Sequence, residues 1–212
     1  MRTWLLAISI IAAMLPWAAA PTAQAAEAAM PVPLSEKDRA DIARIEDYLN
    51  GLKTLRAGFI QVASNGTVAE GKLYLHRPGK IRFEYDPPVP ILIVSSGLIL
   101  YYYDKELDQT TQVFVNATPI GVLTKENLSF SNEITVSHFA RDAGTLRLTV
   151  QQTDEPDEGA ITLVFSDRPL ALRKWTVLDA QGTQTTVALN NVETGINLDP
   201  GLFKFTVPVD QN

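Results

Sequence analysis

Leu73-Tyr74-Leu75-His76-Arg77-Pro78-Gly79-Lys80-Ile81-Arg82-Phe83-Glu84-Tyr85 is the stretch whose reading decides the fold. Arg77-Pro78-Gly79-Lys80 carries turn chemistry, with a proline that presets φ and a glycine that accepts positive φ. On both sides apolar residues alternate with polar ones. A period of two marks strands with one buried face. The stretch therefore predicts an antiparallel hairpin, with strands over Thr67 to His76 and Ile81 to Tyr85. Arg77 shares the parity of Leu73, Leu75, Ile81, Phe83 and Tyr85. If that parity runs through the turn, its guanidinium joins an apolar face. Five buried donors must then find acceptors.

The same grammar extends outward. Thr54 to Ala63 reads as a strand ended by Ser64-Asn65-Gly66. Downstream, Pro87, Pro88 and Pro90 interrupt the pattern, and strands resume at Ile91 to Ser95 and Leu98 to Tyr103 around Ser96-Gly97. Asp104 to Asp108 is a polar turn before a strand at Thr110 to Val115. Thr118-Pro119 has the chemistry of an N-cap and first helical residue, so a short helix is expected to about Lys125. Strands follow at Ile134 to Phe139, Leu146 to Gln152, Ala160 to Phe165, Leu172 to Leu178 and Thr183 to Val192. Phe203 to Val207 reads as a last edge strand. Before all of these, Ile42, Ile45, Leu49 and Leu52 recur at helical spacing behind Ser35-Glu36-Lys37-Asp38, an N-cap with acidic first-turn residues. One amphipathic helix is predicted over Ser35 to Asn50, ended by Gly51. The class is α+β: ten or eleven strands in hairpin order, antiparallel, and numerous enough that the sheet must curl.

The N-terminus has a different character. Arg2, the apolar run Trp4 to Trp17 and Ala23-Gln24-Ala25 together make a secretory signal peptide, with residues 1–25 removed. Residues 26–34 read as a flexible arm rich in Ala and Pro, and 35–212 as a single domain. Cleavage leaves about 187 of the 212 residues, enough for one core. There is no cysteine, so packing alone holds the exported chain, which points to a periplasm. The formal charge of −6 becomes −7 without Arg2, which argues against nucleic acid as a partner and against lasting attachment to anionic membranes.

Little in the chain suggests chemistry. His76 and His138 stand alone, outside metal-ligand spacing. No Gly-x-Ser-x-Gly elbow, P-loop or dinucleotide fingerprint is present. The acidic run Asp154-Glu155-Pro156-Asp157-Glu158-Gly159 lacks the positions of a calcium loop and reads as a solvated hairpin tip. An enzyme is not expected, nor a metal or cofactor.

The residues from Arg77 to Tyr85 resemble the Arg-Pro turn and bulky alternation of the periplasmic lipoprotein carrier family, LolA. Leu55-Arg56-Ala57-Gly58-Phe59-Ile60-Gln61 resembles that family's first strand, and Glu70-Gly71-Lys72-Leu73 its second. Ile93-Val94-Ser95-Ser96-Gly97 leading into Leu100-Tyr101-Tyr102-Tyr103-Asp104 is similar to its next strand pair. Thr118 to Leu123, Leu178 to Gly182 and Phe203 to Pro208 also match. Ser96 stands where the family often has Asp, and Tyr85 and Tyr101 stand where Trp or another bulky group occurs. The resemblance implies an unclosed β-barrel, or half-barrel, covered by a lid made of the long and short helices. It implies a hydrophobic cavity for lipoprotein acyl chains, with Leu49, Leu52, Leu55, Phe59, Leu73, Leu75, Ile81, Phe83, Tyr85, Ile93, Tyr101, Tyr103, Ile120 and Leu123 as its expected lining. It assigns Arg77 as a latch to lid backbone near Leu49 and the Ile120 to Thr124 segment, closed when the carrier is empty. The expected partners are acylated lipoproteins, an inner-membrane ATP-driven release complex and an outer-membrane receptor or acceptor membrane; a monomer is expected. A carrier of glycolipid or a hopanoid-like molecule, or a lipid-sensing regulatory module, remains an alternative on the same fold.

Overall fold

The structure, a computed structural model, describes residues 34–131 and 133–206. The expected signal peptide and all of the expected arm but Leu34 lie outside the described residues. Helix α1 (Glu36–Gly51) begins at a capping box in which Ser35 and Asp38 exchange backbone and side-chain hydrogen bonds. Eleven strands follow among the described residues: β1 (Thr54–Ala63), β2 (Val68–His76), β3 (Lys80–Tyr85), β4 (Ile91–Ser96), β5 (Ile99–Asp104), β6 (Gln109–Phe114), β7 (Ile134–Asp142), β8 (Thr145–Gln152), β9 (Gly159–Asp167), β10 (Leu170–Asp179) and β11 (Gln184–Thr194). They form one antiparallel sheet in the order β6-β5-β4-β3-β2-β1-β11-β10-β9-β8-β7. Two meanders thus meet where the first strand pairs with the last, and the two edges, β6 and β7, stay unclosed.

The connection from β6 to β7 has to travel from one edge to the other. It crosses the inner face and includes a 3₁₀ segment at Pro119–Thr124, with Pro119 in its first turn. That segment packs on β9 and β10, and α1 also lies against β10. Register shifts beside Ala57, Ser137 and Arg173 bend the strands around these elements. Gly71 permits a close approach of β2 to β3 and to the aromatic core: a Cβ there would lie 2.2 Å from the Glu84 carbonyl oxygen and 2.8 Å from the Phe59 ring.

The inner face is filled by the protein's own side chains. Phe59 meets Phe83 edge-on at 5.5 Å, and Phe83 meets Trp175 at 6.3 Å. Ile45, Leu49, Val122 and Leu123 press down on them from the helical side. The hollow expected from the resemblance is therefore closed in this structure. The outer face of β8 to β11 is polar, with Thr149 paired to Thr162 and Thr176 to Thr186 at 2.9 Å each.

The expected edge strand at Phe203 to Val207 is corrected by the structure over residues 203–206, Val207 lying outside the described residues. Asp199 accepts from the Gly201 amide, Pro200 follows it, and the chain turns through a 3₁₀ segment at Pro200–Phe203; residues 204–206 form no strand. Phe203-Lys204-Phe205 alternates because Phe203 and Phe205 both press on the outer face of the sheet. Phe203 packs against His76, and Phe205 against Tyr101 and Tyr103. Leu92 and Val94 are buried there.

Trp175 is the largest side chain fully buried in the inner core. Trp175→Ala is expected to cost about 3–5 kcal/mol of stability, measurable as a lowered urea midpoint with an unchanged slope.

Candidate functional site

Helix α1 ends with no basic residue in its last turn, so its terminal carbonyls lack a local cation. The β2–β3 turn supplies one. Arg77 is 5% exposed. Its Nη1 donates to the Leu49 carbonyl of α1, while Nε (2.6 Å) and Nη2 both donate to the Lys125 carbonyl, which caps the 3₁₀ segment. The planar fork thus binds the ends of two helical segments at once, which a lysine could not do. Burial lowers the Arg77 pKa. Among the described residues its hydrogen-bond partners are carbonyl dipoles and no carboxylate pairs with it. The Gly79 amide adds a bond to the Thr124 carbonyl at 2.8 Å from the same turn.

Other residues stitch α1 to the crossover, and the sequence reading did not single them out. Asn50 Nδ2 donates to the Leu128 carbonyl at 2.9 Å, and Asn50 Oδ1 accepts from the Leu128 amide at 2.8 Å. Glu46 accepts from the Phe130 amide at 2.8 Å. At the other end of the helix, Asp41 bonds Arg44 at 2.6 Å and Arg141 of β7, and Arg44 reaches Asp167 at 3.1 Å. Burial works against the Asp41 carboxylate, but hydrogen bonds from Arg141 and Arg44, with their charges, outweigh it and hold its pKa below the ordinary value. The available signal was position: Glu46 and Asn50 stand four apart, on one helical face.

The structure places most of the expected lining together. Leu49, Leu52, Leu55, Phe59, Leu73, Leu75, Ile81, Phe83, Tyr85 and Leu123 are buried in the core cluster, with Ile93 and Ile120 half-buried against it. Tyr101 and Tyr103 are not there, which corrects the expectation. The register joins Phe83 to Ile93 and Ile93 to Tyr102, so of the three tyrosines Tyr102 is the one on the inner face of β5. Its neighbours Tyr101 and Tyr103 point outward to Phe205, because successive side chains leave opposite faces. A polar pair also lies on the inner face: the Tyr85 hydroxyl donates to Gln61 Oε1 at 2.7 Å. Burial pushes the Tyr85 phenol up to about 12, with nearby Tyr102 adding to the rise and the Gln61 bond opposing it.

A groove of about 450 Å³ opens between the start of α1 and β7, lined by Leu34, Arg39, Ile42, Phe130, Ile134 and Val136 among others. Among the described residues no cluster of His, Asp and Glu has the arrangement of a metal site. No helix among them is long and apolar enough to cross a membrane.

The site offers a sealed apolar face beneath a lid whose two ends are fastened differently. Asp41 has a lowered pKa, so its contribution is complete above the ordinary carboxylate pKa of 3.8 and is lost as pH falls through the lower folded value. Docking of the first half of α1 is expected to hold from about pH 8 to pH 5 and to weaken below about pH 4. Amide exchange of α1 measures this. Asp41→Asn is expected to speed exchange at neutral pH in the first half of α1, with the Leu49 end less affected.

The family model described as outer membrane lipoprotein carrier protein LolA matches residues 50–206. An outer-membrane lipoprotein carrier protein of Methylococcus capsulatus is 29% identical over 187 residues, covering 82% of this chain and 87% of that one. One from Chromobacterium violaceum is 31% identical over 175 residues, covering 79% and 84%. Among solved structures, a LolA superfamily protein from Nitrosomonas europaea superposes with a TM-score of 0.44 at 8% identity, covering 77% of this chain and 97% of that one.

Proposed function

Because the chain belongs to the family of the outer membrane lipoprotein carrier protein LolA, we propose that it is a periplasmic carrier that shelters lipoprotein acyl chains against the inner face of its sheet. Cargo comes from an inner-membrane ATP-driven release complex and passes to a receptor or acceptor at the outer membrane. The carrier performs no chemistry on the cargo. The observation that supports this reading is the Arg77 guanidinium, which joins the sheet to both parts of a lid over a continuous apolar face.

Energetics favour that design. An exposed methylene costs about 0.8 kcal/mol, so an acyl chain of about sixteen carbons costs on the order of 10 kcal/mol in water. A curved sheet under a lid can hide that area where a flat sheet cannot. An empty apolar hollow is also costly, so the unloaded protein closes on itself, filling the space with Phe59, Phe83 and Trp175. Cargo binding replaces these contacts and breaks the Arg77 bonds. Loaded and closed states close in energy allow both capture and release.

Incubating the purified protein with inner-membrane vesicles and ATP is expected to bring lipoproteins into its soluble fraction. If no lipoprotein is released, or if a glycolipid or hopanoid-like molecule co-purifies from the native host instead, the reading fails. Arg77→Leu is expected to fold but to favour the open or loaded form by about 2 kcal/mol, roughly a thirty-fold shift. It should then retain lipoprotein and pass it on poorly to an acceptor. Normal onward transfer by this variant would rule out the latch.

A further inference from the structure

The sheet has two edges, and the sequence treats them differently. β7 carries a register shift at Ser137 and sends Arg141 to Asp41 and Asp38. Bulges and charges of this kind blunt an edge. β6 has neither. It reads Gln-Thr-Thr-Gln-Val-Phe over Gln109–Phe114, without charge, proline or glycine. It pairs with β5 without a shift, from Ile99 opposite Phe114 to Asp104 opposite Gln109. The Val115 amide donates to the Leu98 carbonyl at 2.8 Å in the same register. By alternation, the hydrogen-bonded pairs are then Leu100 with Val113, Tyr102 with Thr111, and Asp104 with Gln109. The amides and carbonyls of Thr110, Gln112 and Phe114 therefore point away from the sheet. Among the described residues no strand pairs with that side. Val113 and Phe114, on opposite faces of the strand, remain 42% and 65% exposed.

We propose that this edge of β6 receives the extended polypeptide segment adjoining the acylated end of a lipoprotein cargo, as a twelfth antiparallel or parallel strand. The inference rests on the carrier reading above. A row of outward amides and carbonyls is matched by another extended backbone. The inner face leads to it directly, since Phe83, Ile93, Tyr102 and Thr111 form one cross-strand row from β3 to β6. Tyr102, 43% exposed, is the point where the row leaves the cover of the helices. Acyl chains lying along this row bring the polypeptide that bears them beside β6. Backbone pairing reads little side-chain identity, which suits a carrier of proteins that differ in sequence, and an uncharged edge accepts tails of either sign.

The test compares two probes on the mature protein: cysteine carrying an S-dipalmitoylglyceryl group, and the same lipid with a peptide tail of about six residues, the length of β6. The tailed probe is expected to bind about ten-fold tighter and to slow exchange of the Thr110, Gln112 and Phe114 amides. Gln112→Pro removes an outward amide without touching the β5 ladder; it should erase that ten-fold difference and keep the affinity for lipid alone. Equal binding of the two probes by the unaltered protein would overturn this inference while leaving the carrier reading standing. Edge amides that stay unprotected with the tailed probe, or that are already protected without it by a second copy or another part of the chain, would also overturn it. Binding of neither probe would overturn the carrier reading as well. The exchange measurement uses the unaltered protein and decides the matter if Gln112→Pro loses both probes.

Discussion

A buried guanidinium held by backbone carbonyls is the constraint on which this molecule turns. Arg77 stands at the end of a hairpin whose parity forces it inward, and there it finds the Leu49 and Lys125 carbonyls. A buried carboxylate partner would be left as an uncompensated charge when the pair separated. Carbonyl dipoles at helical ends return to water with much less penalty. The fork is still specific, because its geometry needs two acceptors placed by two different segments. The far end of α1 uses the opposite chemistry, a network of full charges around Asp41, Arg44, Arg141 and Asp167. The lid is thus anchored by ions at one end and fastened by dipoles at the other.

Much of the fold could be read from the sequence because strand parity is a local property. Leu73, Leu75, Ile81, Phe83 and Tyr85 face the core as their alternation indicates, and Arg77 follows them. The same rule went astray where apolar residues run together. Three consecutive tyrosines give no parity of their own, and only the pairing of Ile93 with Tyr102 shows which of them faces inward. The C-terminal Phe203-Lys204-Phe205 imitates a strand because a strap lying on a sheet also buries every second residue. Asp41, Glu46 and Asn50 escaped notice for another reason. Their partners, Arg141, Phe130 and Leu128, lie 78 to 100 residues away, and a helix read alone gives a polar residue no reason to be more than solvated.

The outer face contributes more than a curved sheet requires. The strap from Leu198 to Phe205 covers Leu92 and Val94 on the outer face of β4, while Ile91 and Ile93 on its inner face are half-buried. Beneath it, Arg82 donates to the Leu202 carbonyl at 3.3 Å. In the carrier proposed above, a sheet backed on one side would keep its curvature if the lid on the other side moved. The strap lies behind β3 to β5, where the inner row runs out toward the open edge.

The meeting of β1 with β11 sets the order of events during folding. Arg56 reaches Glu193 across 137 positions of chain, so the middle of the sheet is assembled from the two ends of the domain. A chain arriving N-terminus first can form the β1–β6 meander early, but β1 waits for its second neighbour until the last strand emerges. High contact order slows such closure. The two meanders can therefore each form by local pairing, but they join into one sheet only once β11 is available to pair with β1.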